Sequence, residues 1–327
     1  MTAERLPWVS EDPASLRLFE LAQKVAPTAT TLLIVGESGT GKDHLARLVH
    51  EIGPRRDAPF LKIDCASLPP HLVESELFGH ERGSFTGAVE RKLGRLEMGG
   101  AGTIVLDEVA ALSPEAQGKM LRVLQERSFE RLGGTETLHI TARIIALTNV
   151  DLPAAVKNGT FREDLYFRLN VLTLAVPALR ERRADILPLA QHLLNIVRVV
   201  HGRGEAQLSE AARRMLLAYA WPGNIRELRN VLERAIVFSR RSTLVTEGSS
   251  AESGENLLEP RDFPENIRVA AGGAANFGAD LLSLEEIERN AIAATLEATR
   301  YQITRSSAIL GISRKTLLEK RKKYGLK

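Results

Sequence analysis

One short segment restricts this chain more than any other: Gly36-Glu37-Ser38-Gly39-Thr40-Gly41-Lys42-Asp43. It follows the apolar run TLLIV (Thr31–Val35) and precedes the helical pattern HLARLVHEI. Glycines at these places let backbone N–H groups curl around phosphate oxygens with no Cβ in the way. The helix that follows aims its positive end at the anion, and Lys42 supplies a point charge for the β- and γ-phosphates of a nucleotide. Such a strand–loop–helix unit demands an α/β fold whose parallel sheet presents its ligand edge at the C-terminal ends of the strands. In the general pattern Ser or Thr follows the lysine and ligates Mg2+; Asp43 stands there instead.

Three further apolar runs continue the alternation of strand-like and helix-like segments: Phe60–Ile63 (FLKI), Thr103–Leu106 (TIVL) and Ile140–Leu147 (ITARIIAL). The pattern predicts a doubly covered, largely parallel sheet over residues 11–180. TIVL ends in Asp107-Glu108, which a buried strand would present at the same ligand edge. There Asp107 would hold a Mg2+ shell and Glu108 would polarise an attacking water. Residues 181–240 carry only helical periodicity (Leu187, Leu189, Leu193 and Leu194 in one stretch; Leu228, Val231, Leu232 and Ile236 in another) and predict an α-helical lid. Residues 1–10 read as a tail. Residues 241–280, rich in Gly, Ser, Ala and Glu, read as a linker.

Several phrases in this frame are more specific. Glu76-Leu-Phe-Gly-His-Glu-Arg-Gly83-Ser84-Phe85-Thr86-Gly87-Ala88 places an aromatic on a glycine-flanked loop, costly unless it meets a partner. Thr148-Asn149 ends the run ITARIIAL, where a polar pair can sense a phosphate. Phe161-Arg162-Glu-Asp-Leu-Tyr-Phe-Arg168 and Trp221-Pro-Gly-Asn224-Ile-Arg226-Glu-Leu follow, with Asn224 read as a helix cap. With these residues the chain resembles the bacterial enhancer-binding proteins, AAA+ activators of sigma-54 RNA polymerase. The resemblance covers about residues 10–240 and the last 45 or so.

The resemblance implies an AAA+ P-loop domain with a helical lid that uses ATP and Mg2+. It implies a nucleotide site made of Gly36 to Asp43, Thr148, Asn149 and the lid's Arg226. Arg162 and Arg168 match the family's arginine fingers, which act in a neighbouring subunit and so imply a homo-oligomeric ring, a hexamer in this family. The loop Gly83–Ala88 matches the sigma-54 contact loop usually written GAFTGA, with Ser84 in place of alanine. Asp64 stands where the family has an asparagine that holds the glutamate matching Glu108; two carboxylates there would repel, so altered coupling is expected.

The far end has a different chemistry. From Arg300 to Lys327 there are nine Lys or Arg against one acid, while the chain as a whole carries a net charge of only +3. A basic tail on an acidic body points to a polyanion, most simply DNA. Within 281–327, Ser283 and Glu286 have capping-box spacing. A short helix, Gly311 at a turn, and a Ser313-capped basic helix then follow the grammar of an all-α helix-turn-helix. Ala308, Leu310, Ile312 and Leu317 would form its core. Ser313, Arg314, Lys315 and Thr316 fall where base edges are met, and Lys320 where phosphates are. This segment resembles the Fis-type domains that end many sigma-54 activators.

The single cysteine, Cys65, rules out an internal disulfide framework and fits a cytoplasmic protein. No apolar stretch reaches the roughly 18–20 residues of a membrane span. The expected function is a sigma-54-dependent activator that hydrolyses ATP as a ring, remodels closed polymerase complexes and binds enhancer DNA. Its control is expected from a separate regulatory protein, from expression level or from a domain not in this sequence. Two alternatives stay open: a nucleotide-binding DNA regulator that does not remodel sigma-54, and an AAA+ remodeller of another substrate. Glu108, Arg162 and Arg168 speak against the first, and the Phe85 loop against the second.

Overall fold

A computed structural model describes residues 8–85, 87–239, 256–269 and 301–325, with 288–289, 292–293, 295–296 and 299. Thr86, the Ser283/Glu286 pair and the side chain of Ala308 lie outside the described residues, as does most of 241–280. The chain divides into two units, Met1–Arg268 and Val269–Lys327.

The first unit opens with α1 (Pro13–Val25), started by Pro13 behind an Asp12 carboxylate that accepts the Ala14 N–H. Then follow β1 (Leu32–Val35), α2 (Lys42–Glu51), β2 (Phe60–Asp64), α3 (Pro70–Phe78), a small antiparallel pair β3 (Gly79–His80) and β4 (Lys92–Leu93), and α4 (Arg95–Met98). After them come β5 (Thr103–Asp107), α5 (Pro114–Glu126), a second small pair β6 (Ser128–Phe129) and β7 (Leu138–His139), and β8 (Arg143–Thr148). α6 (Leu152–Lys157), α7 (Glu163–Leu169) and β9 (Leu172–Ala175) close the α/β part. The sheet runs β2-β5-β8-β1-β9, and every pairing is parallel. Strands covered on both faces read as continuous apolar runs: β8 is buried from Arg143 to Thr148 and β5 from Thr103 to Leu106. One core cluster lies on each face, around Phe78, Ile144 and Leu165 on one and around Leu18, Leu45 and Leu174 on the other.

Two details differ from the sequence expectation. The run beginning at Ile140 enters the sheet only at Arg143, because the Ile140 N–H is taken by the Arg127 carbonyl beyond the β6–β7 pair. The fifth strand, β9, was not anticipated; four residues at a sheet edge carry too little periodicity to announce themselves. Arg143 is itself buried, donating to the carbonyls of Val25, Ala26 and Thr30 at the end of α1. Burial lowers its pKa to about 10.

The lid consists of α8 (Ile186–Val200), β10 (Ala206–Leu208), α9 (Glu210–Ala218) and α10 (Asn224–Phe238). Residues inside the stretch read as linker belong to the same unit. There β11 (Asn256–Leu258) pairs in parallel with β10, and Phe263 and Ile267 are buried. The expected tail is likewise engaged at its end: Trp8 packs on the second core cluster and stacks with Phe19 and His44.

The second unit holds α11 (Ile303–Leu310) and α12 (Arg314–Lys323), joined through Gly311 at φ +64°. Leu317 is fully buried with Ile292 and Leu296, and Ile303, Leu310, Ile312 and Tyr324 pack around them.

Candidate functional site

The phosphate loop spans the end of β1 and the start of α2. Gly41, in the left-handed region at φ +101°, is the N-cap of α2 with no side-chain cap, so the first N–H groups of the helix are left for an anion. The Lys42 ammonium folds under the loop, donating to the carbonyls of Gly36 and Glu37 at 2.8 and 3.0 Å. Burial lowers its pKa, opposed by the nearby carboxylates of Glu108, Asp107 and Asp43. Thr40 donates to the Glu37 carbonyl at 2.9 Å and so fixes the loop's curl.

Three strand ends meet this loop. The Thr148 carbonyl accepts the Gly36 N–H at 3.2 Å. The Asn149 N–H donates to Glu108 Oε2 at 3.3 Å. Glu108 itself is in the left-handed region at φ +51°, an unfavourable conformation for a residue with a Cβ, of the kind found at functional sites. Asp107 and Asp43 share one partner: the Lys62 ammonium lies 2.7 Å from Asp107 Oδ2 and 2.5 Å from Asp43 Oδ1. Burial opposes the Lys62 charge, but hydrogen bonds to the two carboxylates outweigh it and raise its pKa. Asp64 turns to its own chain, accepting the Ala66 and Ser67 N–H groups at 2.9 and 3.2 Å. Cys65 is buried, and burial pushes its thiol up to about 12, so it packs as a neutral group.

The lid clamps the loop from above. Asn224 does not cap α10 as expected; Gly223 is the N-cap. Its buried amide reaches across the cleft instead, accepting the Leu179 N–H and donating to the Ser38 carbonyl and to Glu37 Oε2. Arg226 donates to Ser38 Oγ at 2.7 Å. Arg180 pairs with Glu37 in a two-pronged contact. Hydrogen bonds from Arg180 and then Asn224 hold the Glu37 carboxyl at about 2. Arg182 donates to the Thr40 carbonyl at 2.6 Å.

Beside the loop lies a mainly apolar cavity of about 130 Å³, with Trp8, His44, Arg182, Leu189, His192 and Ile225 in its wall. Three buried polar atoms of that wall, Trp8 Nε1, Arg182 Nε and His192 Nε2, have no hydrogen-bond partner among the described residues. Buried orphans of this kind mark a place built for a ligand with polar edges. Sequence reading missed Trp8 and His192, which sit in no motif, and gave Arg182 no part in the site.

Arg162 and Arg168 are exposed on and before α7. Arg162 pairs with its neighbour Asp164 at 2.8 Å, and among the described residues no ion pair joins either arginine to residues 36–43. The glycine-flanked loop lies elsewhere. Gly83 N–H bonds the Ala88 carbonyl, and Ala88 N–H bonds that of Phe85. Phe85 is half-buried rather than free, its ring edge-on to His80 at 5.0 Å, and Ser84 packs on Gly133. Beneath it the buried Arg131 is gripped by Glu97 in a two-pronged contact and by Glu81 and Glu136, which raises its pKa further.

In the second unit Ser313 caps α12, accepting the Thr316 N–H at 3.1 Å. Arg314 and Lys315 are exposed on the first turn and Thr316 is half-buried. Lys320 is not presented as expected: its ammonium is taken by the Glu288 carboxylate, which also accepts the Tyr324 hydroxyl.

Comparison with known proteins places these features together. Residues 8–175 match the sigma-54 interaction domain, residues 180–249 the AAA+ ATPase lid domain, and residues 283–324 the Fis-family bacterial regulatory proteins. The transcriptional regulatory protein FlbD of Caulobacter vibrioides is 40% identical over 99% of this chain and 71% of its own length. The regulatory protein AtoC of Escherichia coli is 41% identical over 97% and 68%. A Nif-specific regulatory protein of Azotobacter vinelandii is 46% identical over 78% of the chain but only 49% of its own length. Among solved structures, NtrX from Brucella abortus with ADP is similar at a TM-score of 0.71 and 32% identity, covering 98% of this chain and 69% of that one. NtrX with ATP is similar at 0.70 and 33%.

Proposed function

The chain belongs to the sigma-54 interaction domain family of transcriptional regulators, and from that premise we propose that it hydrolyses ATP as a ring to remodel sigma-54 RNA polymerase while its C-terminal unit holds enhancer DNA. The observation that carries the reading is convergence: the phosphate loop, the Asp107–Glu108 strand end, Thr148–Asn149 and the lid's Asn224 and Arg226 meet around one cleft. The cavity with three orphan polar atoms opens beside it. The nucleotide complexes of NtrX support the same use of the cleft.

In this reading the triphosphate lies on the N–H groups opening α2, and Lys42 turns from its own loop carbonyls to the phosphates. The base enters the cavity, where its polar edges satisfy Trp8, Arg182 and His192. Glu108 orients the attacking water, and its carboxylate is positioned by the Asn149 N–H. A divalent ion fits the donor set, since Mg2+ is held by one or two carboxylates plus substrate phosphates rather than by an all-protein cage. No group of three or more metal-ligating side chains occurs among the described residues. Asp107 and Asp43 would hold the ion, and when bound it supplies charge neutralisation for the transferred phosphoryl group. Arg162 and Arg168, exposed on and before α7, would enter a neighbour's site, which requires an oligomer. The Gly83–Ala88 loop, with Thr86, would contact sigma-54, and Ser313, Arg314, Lys315 and Thr316 would meet DNA. No helix among the described residues is long and apolar enough to cross a membrane.

A second reading, a nucleotide-binding regulator that leaves sigma-54 alone, is favoured by one observation: Phe85 rests against His80 of its own domain. Open-complex formation on a sigma-54 promoter separates the two. The wild type with ATP is expected to open the promoter. Glu108→Gln is expected to bind ATP but lose at least about 100-fold in hydrolysis, and with it promoter opening. ATP hydrolysis by the wild type without any promoter opening would favour the second reading.

A further inference from the structure

We propose that Lys62 is a tethered cation that competes with the divalent metal for Asp43 and Asp107. The inference rests on the nucleotide reading above and concerns a side chain to which that reading gives no part. Parallel pairing sets Lys62 beside Val105 and Asp64 beside Asp107. Side chains alternate along a strand, so Lys62 shares a face with Asp107 and reaches up the sheet to its carboxylate. Asp43 comes from the first turn of α2, and the ammonium closes the gap between the two, 2.5 and 2.7 Å from their oxygens. A divalent ion shared by both carboxylates would need the space that the ammonium fills.

Charge explains why a lysine belongs there. The residue after the phosphate-loop lysine is in general a neutral hydroxyl. Asp43 adds a negative charge at the mouth of a polyphosphate site, and Asp107 adds another. Lys62 offsets that repulsion and keeps the two carboxylates facing one another. An ammonium carries one charge and donates hydrogen bonds, but it has neither the double charge nor the octahedral shell of water and phosphate oxygens that a divalent ion has, so it can assemble the site without replacing the metal there. Its side chain is partly open to solvent, so it can swing aside on a flexible stem when the ion arrives.

The test measures free Mn2+ by electron paramagnetic resonance against the full chain, without nucleotide. Lys62→Met is expected to bind Mn2+ at least about tenfold tighter than wild type, the scale of losing one nearby unit charge after partial screening. Adding Asp43→Asn to Lys62→Met is expected to cancel that gain, since a shared carboxylate is then missing. A fluorescent ADP analogue in EDTA is expected to bind Lys62→Met about tenfold more weakly than wild type, because two carboxylates are left uncompensated. Lys62→Gln, of similar length, serves if the Met variant does not fold. Equal Mn2+ affinity in wild type and the Lys62 variant would overturn the proposal, as would a gain that survives Asp43→Asn. Failure of the wild type to bind ADP even with Mg2+ would instead overturn the nucleotide reading, and the Mn2+ comparison would still decide the role of Lys62.

Discussion

The molecule has two glycine-flanked loops, and they use glycine for opposite reasons. In the phosphate loop there is no room. A Cβ on Gly39 would lie 2.5 Å from the Gly223 carbonyl, and one on Gly36 would lie 2.7 Å from the Val176 carbonyl. In the Gly83–Ala88 loop the two glycines have room: among the described residues no atom lies within 4 Å of a Cβ on Gly83 or Gly87, at φ +82° and +107°. The first loop is locked by the lid through Asn224, Arg226 and the Ile225 N–H on the Gly39 carbonyl. The second is held by a few backbone bonds and one ring contact. Close packing suits a site that must grip an anion in one geometry; open left-handed backbone suits a loop that must move or be met by a partner. Similar composition therefore says little until the space around each glycine is known.

The sharpest way to break this comparison is to put the same methyl group in both loops. Gly39→Ala adds steric overlap to left-handed strain and should cost about 2–4 kcal/mol. It should lower the melting temperature by several degrees and weaken ATP binding by about 100-fold in a titration with a fluorescent analogue. Gly83→Ala meets strain alone, about 1 kcal/mol. It should leave the ATPase rate within about twofold while reducing promoter opening. Equal losses in both variants would mean that crowding does not distinguish the loops.

A smaller effect sharpens the lid's part. Glu37 titrates at about 2 in the fold against an ordinary value of 4.5. A depressed carboxyl contributes stability that is complete above 4.5 and is lost as pH falls from there through about 2. The pair is exposed, so its worth is small. Arg180→Ala should melt about 1–3 °C below wild type at neutral pH, and the gap should narrow once pH drops below 4.5. A gap that stays constant to lower pH would assign Arg180 no electrostatic hold on the loop.

Much of the fold was legible because its signals are local and periodic. Four of the five sheet strands are apolar runs, and the phosphate loop joins one of them to a helix of clear pattern. Pairings across the cleft were not legible. Asn224 reads locally as a cap, and only tertiary packing sends its amide to Ser38 and Glu37. Lys62 sits in the run FLKI and in no motif, and its carboxylate partners emerge only when β2 is laid beside β5. Trp8 falls in a stretch that looks like a tail and becomes a cavity wall because α2 and the lid close around it. Lys320 reads as a phosphate contact by charge, but Glu288 claims it from another part of the chain.

A ring with shared active sites rests on Arg162 and Arg168, two arginines exposed on and before α7. ATPase rate per subunit should be measured against protein concentration for wild type and Arg168→Ala. The expected result is a wild-type rate that climbs with concentration as subunits complete one another's sites, and a loss of at least about 1,000-fold in the variant. A rate independent of concentration and unchanged by Arg168→Ala would contradict a ring with shared active sites.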